Sequence, residues 1–420
     1  MNTSGKLGAF PVWCRATLVS NHYPTMRHQP LYLDTAKDTS RALASLGDVD
    51  LVALDTEGAS FHRFVDRIYL LQLSTRDRTI IIDPLPIGVP EELGRLLEDP
   101  NVQVVFHDAD YDLRLLHQDY NWQLRNVFDT RLAAQLLGIR AFGLAALLER
   151  FFGVKLEKKH QRADWSMRPL TRDMLDYAAQ DTMYLLDLRD RLADELTARG
   201  RWAWAQEEFQ LLENTRWDTD DDANAFLRLK GARDLNRREL AVLRELVEWR
   251  NDVARRADKA TFRVLGNEPL FELARLKPTT RDAIAAVKGM PRGLLDRAAP
   301  EILAAIARGV GLPDAQLPRF PKAARWERDP DFDVRVSALR TVRDAAATRL
   351  DMDPGVLCSR DRLEAVARRN PSSIEELQQM PELRRWQLGV LGTEFLTALA
   401  PHRRIGAVRA TEPDSPYREG

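Results

Sequence analysis

A short apolar run that ends in two acids constrains this 420-residue chain more than any other feature. Residues 51–54 are all apolar, and Asp55, Thr56 and Glu57 follow directly. Alternation along an extended strand places the two acids on one face, about 7 Å apart. Like charges at such a separation require a cation, or one group must take a proton. Acid pairs with this spacing are common by chance, so this pair alone favours a divalent metal only weakly.

The surrounding pattern predicts a mixed sheet flanked by helices. Apolar strand-like segments occur at residues 31–33, 51–55, 68–73, 79–82 and 102–106. The middle three follow one another closely, which indicates an antiparallel meander. Helical spacing is found at residues 36–46, 91–97, 111–117, 130–137, 144–152 and 171–196. We therefore predict an α/β domain over residues 31–205.

The remainder of the chain is predicted to be all-α. Residues 220–305 and 333–402 have helical spacing, and prolines mark residues 310–330 as a linker. The pattern of residues 264–278 recurs about 92 residues later, which is typical of a duplicated small domain. Residues 1–30 and 404–420 lack periodicity and are predicted to be disordered extensions, with Met26 an alternative start to Met1.

Composition places the chain among ordinary globular proteins, with 44% hydrophobic and 30% charged residues. No apolar run reaches the length of a membrane span, and the N-terminal residues lack the apolar core of a secretory signal. The two cysteines, Cys14 and Cys358, are far apart and suit a reducing compartment, so we expect a cytoplasmic protein. Residues 31–200 are net acidic and residues 201–420 slightly basic, which fits a polyanion partner and ordinary charge variation equally well.

Further acids follow the strand at 102–106, where ligands of α/β sheets commonly bind. Asp108 and Asp110 are explained as helix caps. Asp112 lies one turn further along, where capping no longer explains it. His107 is expected to be a packed or hydrogen-bonded residue at the strand end rather than a ligand.

A tyrosine and an acid share one face of the helix predicted at residues 171–196. Tyr177 and Asp181 are four residues apart, and that face is otherwise largely apolar. A carboxylate there is costly unless it is paired or bound to metal. The rival explanation is a buried salt bridge with Arg162 or Arg172.

Together these residues resemble the motif set of the DEDD exonucleases, in the subgroup with a tyrosine in the third motif. The chain is similar to the ribonuclease D family over roughly residues 31–305, and both helical regions resemble the HRDC module. The motif residues are Asp55, Glu57, Asp112, Tyr177 and Asp181. Residues 58–60 depart from the family, which often has an aromatic directly after the glutamate; Phe61 is a candidate replacement. Asp108 stands where the family usually has asparagine or alanine, so a contribution to metal binding stays open.

The resemblance implies a ribonuclease H-like α/β domain and two-metal hydrolysis. Asp55, Glu57 and Asp181 would hold the Mg²⁺ or Mn²⁺ ion that generates hydroxide, and Asp55 with Asp112 the ion that stabilises the departing 3′ oxygen. Tyr177 would orient the attacking water. The products would be nucleoside 5′-monophosphates.

Nucleic-acid contacts are weaker expectations. Aromatic stacking on bases and arginine or lysine contacts with phosphate are weighed against packing and solvated helix faces. The residues concerned are Phe61, Trp165, Arg237, Arg238, Arg255, Arg256 and Lys259.

Three functions stay open at this point. The leading hypothesis is a monomeric exoribonuclease that trims the 3′ ends of structured RNA such as tRNA precursors. The same chemistry on DNA is the second, because the carboxylates do not distinguish the sugar. The third is a catalytically inactive nucleic-acid-binding scaffold, which the intact acids at all four positions disfavour.

Overall fold

A computed structural model describes residues 28–156, 160–217, 224–321 and 329–402. Most of the predicted disordered extensions, at 1–30 and 404–420, lie outside the described residues, as does part of the predicted linker. Within the described chain, none of the helices combines the length and apolar character needed to cross a membrane.

One six-stranded mixed sheet forms the centre of the described α/β domain, in the order β1-β4-β3-β2-β5-β6. Its strands are β1 (Leu31–Leu33), β2 (Leu51–Glu57), β3 (Leu70–Ser74), β4 (Thr79–Ile82), β5 (Gln103–Phe106) and β6 (Val127–Asp129). β3 is antiparallel to β2 and β4, whereas the pairs β1–β4, β2–β5 and β5–β6 are parallel. The predicted meander is therefore confirmed.

Nine helices of the described chain precede the helical half. They are α1 (Ala36–Ala44), α2 (Pro84–Ile87), α3 (Glu91–Glu98), α4 (Asp110–Tyr120), α5 (Thr130–Leu136), α6 (Leu144–Phe152), α7 (Arg172–Met183), α8 (Leu185–Ala198) and α9 (Trp202–Leu212). Alternation along the buried strands gives the sheet two apolar faces. The face with Val52 and Leu54 packs against α1, α3 and α4. The opposite face, with Ala53 and Ile81, packs against α5–α9.

Sequence spacing alone mispredicted three elements. β6 is only three residues long and α2 only four, too short for a periodic signal. The segment predicted as a single helix over 171–196 is two, because the chain departs from helical geometry at Tyr184. No proline or glycine marks that break, so local sequence gave no indication of it.

The helical half consists of two modules that share an order of five helices; the first module has one more short helix before them. The first module (residues 225–311) contains α10 (Ala225–Arg228), α11 (Arg237–Ala257), α12 (Thr261–Val264), α13 (Asn267–Leu276), α14 (Arg281–Ala285) and α15 (Arg292–Gly311). The second module (residues 332–402) contains α16 (Phe332–Leu350), α17 (Pro354–Leu357), α18 (Arg360–Arg369), α19 (Ile374–Gln378) and α20 (Arg385–Leu399). The long helices α11 and α16 both end at a left-handed aspartate, Asp258 and Asp351. The predicted α/β domain followed by two helical modules is confirmed.

The second module shares one hydrophobic core with the α/β domain. Trp204 on α9 stacks on Trp386 of α20, with ring centroids 4.9 Å apart. Glu207 accepts the backbone N–H groups of Arg385 and Trp386, which begin α20. The two hydrogen bonds of Glu207 satisfy free donors at a helix N-terminus with a negative charge from another domain. The second module is therefore an integral part of the α/β core.

The first module instead contacts the loop that follows β2. Asp258 pairs with Arg63 at 3.1 Å and accepts the backbone N–H of Phe64 at 3.3 Å. The rings of Phe61 and Phe262 meet edge to face at 6.2 Å. Because this loop begins directly after Glu57, the first module lies beside the predicted site.

Candidate active site

The two acids of β2 lie at the end of a strand whose core is completely buried. Val52, Ala53 and Leu54 have no exposed surface. Pairing with β3 and β5 on either side fixes the register of β2. The side chains of Asp55 and Glu57 consequently share the face on which α5–α9 pack.

Helix α7 lies across that face and supplies the third acid. It begins at Thr171, whose hydroxyl accepts the backbone N–H of Met174. Its buried residues include Ala178 and Thr182, and the Thr182 hydroxyl hydrogen-bonds Ser74 on β3 at 2.7 Å. These contacts fix the rotation of α7 about its axis, which brings Asp181 to the end of β2.

Asp55, Glu57 and Asp181 form one carboxylate cluster. One oxygen from each lies within 4.8 Å of the others, and the three residues remain partly exposed. Burial raises the pKa of all three carboxyls, and the charge of Asp181 raises that of Asp55 further. For Asp181 the pKa rises to about 7, chiefly through burial and also through the charge of Asp112. The ionised cluster is thus unfavourable unless a cation neutralises it.

Asp112 reaches the cluster from the opposite side of the sheet. It lies in the first turn of α4, and its Oδ1 accepts the backbone N–H of Thr56 at 3.0 Å and the Thr56 hydroxyl at 2.6 Å. Burial raises its pKa strongly, and the charge of Asp55 adds to this. The hydrogen bonds tie Asp112 to the residue between Asp55 and Glu57, so all four acids meet at one strand end.

The position of α4 depends on Asp129, a residue for which the sequence predicted no role in the site. Its buried carboxylate accepts the backbone N–H groups of Asp108 and Ala109, just before α4. It also accepts those of Arg131 and Leu132 at the start of α5. One carboxylate therefore satisfies free donors at two helix starts.

Tyr177 completes the site on the α7 side. Its ring centroid lies 6.1 Å from that of Trp165 and 5.9 Å from that of His160. Burial raises the pKa of the Tyr177 hydroxyl well above its ordinary value, and the charges of Asp181, Glu57 and Asp55 raise it further. The hydroxyl therefore stays protonated and can serve as a hydrogen-bond donor or acceptor, not as a base.

The donor set fits a divalent cation of the hard type. The cluster offers carboxylate oxygens only, which Mg²⁺ and Mn²⁺ prefer. The arginines considered as rival partners for Asp181 are engaged elsewhere: Arg172 pairs with Asp176 at 2.9 Å, and Arg162 lies over the Phe61 ring. The four acids thus suit the metal ligation implied by the family resemblance.

Two strand-end residues have structural contacts. Asp108 is exposed and pairs with Arg131, and it lies outside the carboxylate cluster. The ring Nδ1 of His107 lies 2.9 Å from the Thr130 hydroxyl, and burial lowers its pKa to about 4. The expectation that His107 is a hydrogen-bonded strand-end residue is confirmed.

The two residues predicted to stack on bases differ in exposure. The prediction for Trp165 was wrong, because its side chain is only 2% exposed and packs on Tyr177, leaving no free face for a base. Phe61 is 47% exposed and adjoins Phe262, which is 52% exposed. Phe262 had not been predicted, and only the tertiary contact brings it near the site.

The predicted basic residues also divide into two groups. Arg237 donates to Leu317 O in the segment after α15, at 2.9 Å, and Arg238 donates to Val310 O in the last turn of α15, at 2.8 Å. Their guanidinium groups therefore serve the first module's own structure, which contradicts the phosphate-contact prediction. Arg255, Arg256 and Lys259 remain exposed at the end of α11 and the turn after it.

Comparisons with known proteins agree with this geometry. Residues 31–197 match the family model described as a 3′–5′ exonuclease, and residues 239–306 and 333–399 each match the HRDC domain. The chain is 30% identical to ribonuclease D of Gluconacetobacter diazotrophicus over 385 residues, covering 91% of this chain and 95% of the relative.

Two solved structures are similar over nearly the whole chain. A protein from Bifidobacterium adolescentis has a TM-score of 0.76 at 25% identity, covering 88% of this chain and 97% of its own. Escherichia coli RNase D has a TM-score of 0.69 at 24% identity, covering 90% of this chain and 100% of its own. The chain belongs to the ribonuclease D family and is a 3′–5′ exonuclease.

Proposed function

We propose that this protein is a metal-dependent exoribonuclease that removes nucleoside 5′-monophosphates from the 3′ ends of structured RNA, such as tRNA precursors. The observation that carries the proposal is the convergence of Asp55, Glu57 and Asp181 within 4.8 Å, with Asp112 hydrogen-bonded to Thr56 between the first two. Support for RNA as the substrate comes from the relative that is named a ribonuclease. A cytoplasmic location, expected from the two distant cysteines, belongs to the same proposal.

In this proposal, Asp55, Glu57 and Asp181 hold one Mg²⁺ or Mn²⁺ ion, and Asp55 with Asp112 a second. Such ions, when bound, lower the pKa of water and stabilise charge on the attacking and leaving oxygens. Thr56 keeps Asp112 in place through two hydrogen bonds.

The role proposed for Tyr177 is to orient the attacking water. Its hydroxyl stays protonated beside three acids, so it can donate a hydrogen bond to the water or accept one from it. The aromatic rings of Trp165 and His160 both pack against the phenol ring. This packing of the ring restricts the Tyr177 hydroxyl to a small volume next to the carboxylate cluster.

The surface beside the site suits a single strand. Phe61 and Phe262 expose about half of their side chains, and the guanidinium of Arg162 lies 5.5 Å from the Phe61 ring centroid. Aromatic faces next to cationic groups bind unpaired bases and phosphates without sequence preference. We propose that the 3′ end passes over this surface, so that the first module contributes to substrate binding.

The proposal is tested with RNA and DNA of the same sequence, each labelled at the 5′ end. We expect stepwise shortening of RNA, nucleoside 5′-monophosphates as the released products, and a slower rate on DNA. Faster degradation of DNA would favour the deoxyribonuclease alternative. Retained binding of RNA without any degradation would favour a scaffold.

A further inference from the structure

Among the described residues, the side chain of one glutamine in the middle of the sheet has no hydrogen-bonding partner. Gln72 on β3 has no exposed surface. Both its amide nitrogen and its amide oxygen lack a hydrogen bond within the part of the chain that the structure describes. Leaving a buried polar group unsatisfied costs about 1–3 kcal/mol, so such a residue requires an explanation.

The position of Gln72 in the sheet explains why its amide is unsatisfied. Gln72 pairs directly with Asp55 across the antiparallel β2–β3 ladder. Directly paired residues point to the same face, with Cβ atoms about 5 Å apart. The side chains of Gln72 and Asp55 therefore leave the sheet side by side, on the face that carries the cluster.

Helix α7 covers the same face of β3. Two residues along from Gln72, the Ser74 hydroxyl bonds Thr182, the neighbour of Asp181. Ser74 is also fully buried, but its hydroxyl has hydrogen-bonding partners. The unsatisfied amide of Gln72, which pairs with Asp55 itself, is therefore an exception on this face of β3.

We propose that Gln72 is a positioning residue of the metal site, whose amide N–H donates to the Asp55 carboxylate when that carboxylate acts as a metal ligand. The inference rests on the proposed function of the cluster. An ionised carboxylate accepts hydrogen bonds only, and an amide N–H is a suitable donor. Ligating carboxylates generally take such support from neighbouring residues, whose loss weakens metal affinity about 10- to 100-fold.

Replacing Gln72 should raise the stability of the metal-free chain and lower its affinity for metal. Gln72→Met keeps a similar volume but removes the unsatisfied amide. In EDTA, the variant should therefore unfold at a temperature a few degrees higher than the wild type. Its dissociation constant for Mn²⁺, followed by electron paramagnetic resonance of the full chain, should rise about tenfold or more.

A second buried glutamine supplies the matched control. Gln387 is equally buried, but its amide donates to Leu357 O at 2.8 Å and accepts the Arg384 N–H at 3.0 Å. Gln387→Met should lower the unfolding temperature and leave Mn²⁺ affinity unchanged. Gln72→Leu serves as a second variant if Gln72→Met fails to fold.

Unchanged Mn²⁺ affinity in the folded Gln72 variant would overturn the inference, as would a loss of metal-free stability equal to that of the Gln387 control. A wild type without saturable Mn²⁺ binding would overturn it together with the metal assignment. Because the readout is metal affinity, the comparison decides on Gln72 even if the wild-type chain fails to degrade RNA.

Discussion

Replacing Asp181 by asparagine should stabilise the metal-free protein at pH 8 while it abolishes metal binding. Asparagine has nearly the same shape as aspartate but carries no charge. In the folded chain the pKa of Asp181 is raised from 3.8 to about 7, by burial first and by the charge of Asp112 second. Ionising this group therefore opposes folding, and the asparagine variant avoids that cost.

The sign and size follow from proton linkage. A folded-state pKa above the unfolded value means that the folded chain binds the proton more tightly, so stability is lost as the pH rises from about 4 through about 7. The full shift corresponds to about 4 kcal/mol at 1.36 kcal/mol per pKa unit. Because the cluster remains partly exposed, solvent screening reduces the effect, and we expect about 2 kcal/mol.

Urea unfolding followed by tryptophan fluorescence measures this directly. In EDTA at pH 8 the Asp181→Asn variant should be more stable than the wild type, and at pH 4 the two should be nearly equal. Mn²⁺ at pH 8 should reverse the order, because it stabilises only the chain whose carboxylates can bind it. Equal stability of the two chains at pH 8 in EDTA, or equal stabilisation of both chains by Mn²⁺, would refute the reasoning.

Two further predictions concern the helical modules. Gly138→Ala should lower the free energy of unfolding in urea by several kcal/mol, because φ is +78° and a Cβ there would lie 1.8 Å from Asp351 O in the second module. Gly153→Ala is the control: φ is +68° but the surrounding space is open, so the loss should be only about 1 kcal/mol. Equal losses for the two variants would contradict the described docking. Phe262→Ala should raise the KM for single-stranded RNA about fivefold or more with little change in kcat, since stacking contributes about 1–3 kcal/mol per base. The control is Leu276→Ala, at a 62% exposed position of the same module. Equal KM values for the two variants would exclude a stacking role for Phe262.

Three acids of the site could be predicted because each has a local signature. Asp55 and Glu57 end an apolar strand, and Asp181 interrupts an apolar helix face. A charged residue in an apolar pattern requires compensation, and sequence alone displays that requirement. Asp112 was expected to lie one turn beyond the capping positions, whereas α4 begins at Asp110 and has Asp112 in its first turn. The resemblance to the DEDD motif set therefore identified this acid more reliably than its spacing.

The failures share a different cause, which is that exposure is a tertiary property. Stacking of Trp165 on a base was weighed against packing in the core, and the structure buries this side chain against Tyr177. Phosphate contacts of Arg237 and Arg238 were weighed against a solvated helix face, but both side chains donate to backbone carbonyls of the last turn of α15 and of the segment after it. Neither outcome follows from spacing along the chain.

Long-range contacts that support the site were likewise inaccessible. Asp129 resembles an ordinary helix cap in sequence, although it serves two helix starts that are 20 residues apart. The docking of the second module depends on Glu207 and Trp386, which are 179 residues apart. This docking also shows that removing everything after residue 220 would expose the core of the α/β domain, so substitutions are better tests of the modules than truncation.

The central claim is that the converging carboxylates hold divalent metal ions and thereby hydrolyse RNA from its 3′ end. The most direct measurement follows 5′-labelled RNA with the wild type and with Asp55→Ala, each in Mg²⁺, Mn²⁺ or EDTA, after circular dichroism has established that both chains are folded. We predict a ladder of single-nucleotide steps from the wild type with either metal, and none in EDTA or with the variant. A ladder that persists in EDTA, or full activity of Asp55→Ala, would contradict the account.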